Sequence, residues 1–152
     1  MIRDRLSTTL KISMKEKKPI AVSTLRLILT AIKDRDIAAR SKGIDEGISD
    51  DEILQVLQTM VRQRKESIEM YLKGNREELA DRERQEIAVI QSFMPRQLDA
   101  AELEVAINEI IETTGANSIK DMGKAMGALR EKYTGQMDFG KVGPLLKKKL
   151  TG

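Results

Sequence analysis

Apolar residues recur along this chain at helical intervals almost from end to end. Leu6, Leu10 and Met14 stand at every fourth position, a stripe that stops short of Pro19. Beyond Pro19, Leu25, Ile28, Leu29 and Ile32 follow the i, i+3, i+4, i+7 spacing of one helix face, which fades in Arg40-Ser41-Lys42-Gly43. Ser49-Asp50-Asp51-Glu52 reads as a capping box, the serine capping and the glutamate reaching back. The third helix it opens carries Ile53, Leu57, Met60, Val61, Ile68 and Leu72. Gly74 stops that helix, and Asn75 is expected to cap a fourth, with Glu78 in the reciprocal position. Leu79, Ile87, Ile90 and Phe93 form its apolar face, and Pro95 ends it.

A shorter set follows. Asp99 caps a helix bearing Leu103, Ala106, Ile107, Ile110 and Ile111, closed by Gly115. Ser118 is expected to cap the next, with Ile119, Met122, Met126, Leu129 and Tyr133 on one stripe and Gly135 at its end. A last helix holds Val142, Leu145, Leu146 and Leu150. Proline is excluded from helix interiors, so Pro144 predicts a start between Gly140 and Gly143. The pattern predicts an all-α protein. A four-helix part spans residues 1–95 and a small three-helix domain spans 96–152, with Pro95-Arg96-Gln97 as the boundary. The abundance of good helix formers and the scarcity of aromatic residues agree.

Composition then narrows the chemistry. The chain has no cysteine and no histidine. That removes disulfides, thiolate nucleophiles, the commonest general base and the commonest metal ligand. No Ser-x-x-Lys, Gly-x-Ser-x-Gly or phosphate-loop pattern is present. The acid pairs Asp50-Asp51 and Glu77-Glu78 fall in first helical turns and read as capping. An enzyme acting alone is not expected, nor is a cofactor or a metal. The N-terminus lacks an apolar stretch, and no window approaches the roughly 18 apolar residues of a membrane span. A cytoplasmic address without membrane contact is the resulting expectation.

Charge is sorted along the chain. From Gln97 to Ile119 there are five acids and no base. From Lys120 onward eight bases face three acids, a local charge of +5. Clustered basic charge suits a phosphate backbone or an acidic partner. Arg62, Arg64 and Lys65 could extend such a face on the third helix.

The residues then carry a resemblance. Ala116-Asn117-Ser118-Ile119-Lys120-Asp121-Met122-Gly123-Lys124-Ala125-Met126-Gly127-Ala128-Leu129 is close to a signature of the GatB/YqeY family. Phe93-Met94-Pro95-Arg96-Gln97-Leu98 matches that family's hinge, and Arg62 to Ile68 matches its basic run. The chain departs from the family at Pro144, where an ordinary helix former usually stands. The family joins free-standing proteins to the tail domain of the B subunit of the glutamyl/aspartyl-tRNA amidotransferase. The resemblance implies a tRNA-contacting accessory domain, with catalysis carried elsewhere.

On an ideal helix at about 100° per residue, Lys120, Lys124 and Gly127 fall opposite the apolar stripe, with Gly123 at the flank. Either the glycines allow a close helix crossing, or they bare the backbone to a sugar–phosphate chain between two lysines. The expected RNA-binding residues are Lys120, Gly123, Lys124, Gly127, Lys147 and Lys148. The expected partner is tRNA or another structured RNA. The alternatives are an adaptor that docks on an acidic protein partner through the basic domain, and an amidotransferase component active only in a complex.

Overall fold

The computed structural model describes residues 1–151; Gly152, the last residue of the expected second domain, lies outside them. The described residues are all-helical, without strands. Helices α1 (Ile2–Lys15), α2 (Pro19–Arg40), α3 (Asp50–Lys73) and α4 (Glu77–Gln91) are followed by α5 (Ala100–Thr114). A 3-10 turn (Ile119–Asp121) then leads into α6 (Met122–Tyr133), and α7 (Phe139–Thr151) comes last. None of them is long and apolar enough to cross a membrane. The chain divides into two compact units, Met1–Pro95 and Arg96–Gly152.

In the first unit α3 and α4 share the longest seam, while α2 lies against α1, α3 and α4. Leu6, Leu25, Ile28, Ile53, Leu57 and Ile90 are wholly buried between them. Each such side chain contributes about 1.5–3 kcal/mol relative to exposure. The stripe of α1 drifts at its end. Ser13 is buried while Met14, expected in the core, is half exposed. Four-residue steps exceed the 3.6-residue turn, so the third member of such a series rotates off the face. Leu72, near the end of α3, is exposed for the same unit's core.

Caps explain several boundaries. The Ser49 hydroxyl accepts the Glu52 amide at 3.2 Å, as expected, but the Glu52 carboxylate meets the Ser49 hydroxyl at 3.4 Å instead of its backbone amide, so the box is only half formed. Asn75 does not cap α4. It adopts the left-handed conformation (φ +57°) just past α3, and its amide donates to the Leu72 carbonyl. Asparagine tolerates that conformation nearly as glycine does, so Asn75 ends one helix instead of starting the next. Glu78 accordingly pairs with the Arg76 side chain at 2.9 Å.

In the second unit α5 and α7 each pack on α6. Ile107, Leu129, Val142 and Leu146 are buried between them. Asp99 and Glu102 form the complete reciprocal capping box. Arg96 grips the same Glu102 carboxylate with two nitrogens, at 2.8 and 2.6 Å, and holds it down to about 2. The entering chain is fixed to the turn between α6 and α7. The Gln97 side-chain amide donates to the Gly135 carbonyl and the Leu98 amide to that of Gln136.

Two helix starts differ from expectation. Ser118 makes no side-chain cap; residues 119–121 form a 3-10 turn, and α6 begins at Met122. The Asp121 carboxylate instead accepts the Asn117 amide at 3.1 Å, tightening the turn. Ile119 is therefore exposed, off the apolar stripe. α7 begins at Phe139, before the expected window, because Asp138 caps it by accepting the Gly140 amide at 3.0 Å. Pro144 is thus enclosed within the helix, with glycine at its i−4 position, Gly140, and just before it, at Gly143.

Candidate nucleic-acid interface

The glycines of α6 decide what its outer surface is. Gly123 and Gly127 are exposed, and a Cβ built on either would meet nothing within 4 Å. No neighbouring helix crosses there, so close packing does not account for them. Gly127, inside α6, costs the helix up to about 1 kcal/mol against alanine, and Gly123, in its first turn, costs less. The face they leave is an open strip of helical backbone.

Lys120 and Lys124 border that strip. Both are exposed, and neither forms an ion pair among the described residues. Lys120 belongs to the 3-10 turn, so its direction follows that tighter winding and not the ideal α-helical placement. One feature of the face was missed by pattern reading. Glu131 lies one turn beyond Gly127 and two beyond Lys124, exposed and on the same side. The basic strip therefore covers only the first turns of α6.

Charge pairing selects which cations remain free. The acidic helix α5 neutralises two lysines. Lys132 pairs with Glu109 at 3.4 Å, and Lys149 pairs with Glu104 at 3.5 Å. Glu109 holds the Lys132 ammonium above its usual range. Arg130 lies over the Phe139 ring, and Lys132 also covers Tyr133. Lys120, Lys124, Lys141, Lys147 and Lys148 are left without a carboxylate partner among the described residues.

The six expected residues do not share one surface. Gly123, Lys124 and Gly127 stand together on α6, and Lys120 adjoins them in the turn. That turn packs against α7, where Met122 approaches Gly143 to 3.9 Å from an ideal Cβ. Lys147 follows Gly143 by one helical turn and so belongs to the same flank. Lys148 is turned about 100° away and lines a cleft facing α5. The basic run on α3 also divides. The Arg64 guanidinium is 13% exposed, donating to Glu86 at 3.1 Å with Glu83 at 4.0 Å. Arg64 is thus a packing ion pair and no part of a solvent face.

The geometry defines an all-helical protein of two compact units whose smaller unit carries a lysine-bordered glycine strip. The YqeY-like protein family matches residues 3–150, and the chain belongs to that family. It is similar to proteins named "Altered inheritance of mitochondria protein 41, mitochondrial" from several yeasts. Identity to that of Vanderwaltozyma polyspora is 32%, over 77% of this chain and 64% of the relative. For Lachancea thermotolerans it is 31%, over 78% and 65%. For Kluyveromyces lactis it is 27%, over 90% and 66%. The chain thus spans about two thirds of the length of these relatives, 64% in the first case. The expected cytoplasmic address is corrected by them, since they are named as mitochondrial proteins. That expectation had rested on the lack of apolar stretches, which does not distinguish one aqueous compartment from another.

Proposed function

We propose that this protein is an accessory RNA-binding module, without catalysis of its own, that holds structured RNA of the tRNA kind against the start of α6. The observation that carries this reading is the open space over Gly123 and Gly127. A folded helix keeps two destabilising residues on its surface where packing does not use them. A bare strip bordered by unpaired lysines admits a sugar–phosphate chain close to the helix backbone, with Lys120, Lys124 and Lys147 for its phosphates. The family resemblance to a tRNA-contacting tail domain supports the same partner.

The test is tRNA binding over a salt series. Phosphate contacts give a log–log slope of about −0.7 to −0.9 per contact. Changing Lys120 and Lys124 together to alanine is expected to flatten it by about one to two units without affecting folding. Gly127→Leu is expected to stabilise α6 yet weaken binding, two effects of opposite sign that separate shape from charge. A folded double-lysine variant with unchanged affinity and slope would remove this surface from consideration.

A further inference from the structure

In the small unit α5 and α7 both pack on α6. Between them lies a cleft of about 530 Å³, floored by Leu103, Ile107 and Leu145 and rimmed by Glu104, Lys148 and Lys149. We propose that this cleft seats one amphipathic helix of a partner protein, with an apolar stripe flanked by Asp or Glu. The proposal is independent of RNA binding at the start of α6.

Three observations select that occupant. The walls come from α5 and α7, two helices that each pack on α6, and a groove between helices is the usual seat of an amphipathic helix. The floor is apolar. Leu145 is 44% exposed on a helix whose Val142, Leu146 and Leu150 are buried. A nucleic acid would leave this floor wet, whereas an apolar stripe would dry it. The rim is positive. Glu104 and Lys149 neutralise each other across the cleft at 3.5 Å, while Lys148 has no carboxylate partner among the described residues. An acid on the incoming helix completes Lys148.

The test uses the full chain as bait for a display library of 18-residue helices. Apolar residues are randomised at i, i+3, i+4 and i+7, with fixed glutamates on the flanks. Selection is expected to enrich a defined stripe on the wild type and not on Leu145→Asp, whose exposed position leaves folding intact by circular dichroism. The best peptide is expected to lose roughly tenfold or more in affinity with Leu145→Asp. Lys148→Glu is expected to weaken it several-fold, and a lysine-flanked version of the same peptide to recover the loss. No enrichment, or equal enrichment on Leu145→Asp, overturns the proposal. So does a tRNA transcript that competes with the peptide and protects Leu103 and Leu145 resonances, which would assign the cleft to nucleic acid.

Discussion

Arg3 and Asp36 form a two-pronged ion pair, at 2.8 and 2.6 Å, that also captures the backbone of Ile48. The Ile48 amide donates to Asp36 at 2.8 Å, and Arg3 donates to the Ile48 carbonyl at 3.1 Å. One pair thereby joins α1, α2 and the end of the loop before α3. Gly47 lies directly beside it in the left-handed region (φ +91°), where a Cβ would fall 2.6 Å from the Arg3 guanidinium.

Gly47→Ala is therefore expected to destabilise the protein by about 1–3 kcal/mol, from backbone strain together with the shift it forces on the Arg3 side chain. Gly43 provides the control, since it has φ +83° but open space around it. Gly43→Ala carries the strain alone, about 1 kcal/mol. Urea denaturation of both variants measures the difference. Equal losses would show that the pair yields without cost.

Acid sensitivity follows from two carboxylates. The Arg3 hydrogen bonds hold the Asp36 carboxyl below its ordinary 3.8, and Arg96 holds Glu102 at about 2 against 4.5. Both pKa values fall on folding, so the unfolded chain binds protons more readily. Their contribution is full above about pH 4.5 and is lost as the pH falls toward 2. Arg3→Ala is expected to be less stable at pH 7 and to lose less between pH 5 and 2, read as Tm against pH. A parallel offset at every pH would remove Asp36 from this account.

Thr24 is wholly buried in α2, and its hydroxyl has no hydrogen-bond partner among the described residues. Thr24→Val keeps the shape and removes the desolvated hydroxyl, so it is expected to stabilise by about 1 kcal/mol. A loss of stability would reveal a partner for that hydroxyl in solution.

On the α6 face proposed for RNA, the Glu131 carboxylate works against a bound anion. Glu131→Gln is expected to raise tRNA affinity about two- to fivefold at low salt, with the gain shrinking as salt screens it. Fluorescence anisotropy at two ionic strengths reads this directly. An unchanged affinity would confine the RNA to the turn before α6.

Local signals were legible where a residue had one use. Asp99 ahead of an apolar run was readable as a helix cap, and Ile107 and Leu146 as core, although Leu145 on the same stripe proves 44% exposed. Asn75 has two uses, N-cap and left-handed terminator, and spacing does not choose between them. Arg64 looked like a surface cation because its partners Glu83 and Glu86 stand on α4, some twenty residues away in the chain. The strip at Gly123 and Gly127 was visible as a periodicity. That nothing crosses it depended on where α5 and α7 pass, which no local pattern encodes.

The same two glycines set the timing of α6 as well as its shape. Glycine weakens a helix locally, so the amides around Gly123 and Gly127 are expected to exchange with solvent faster than those of the rest of α6. The helix proposed as the binding face is thus expected to be the part of the small unit that a bound partner steadies most. Whatever lies along it tightens the winding, and hydrogen exchange at these amides slows in proportion to occupancy.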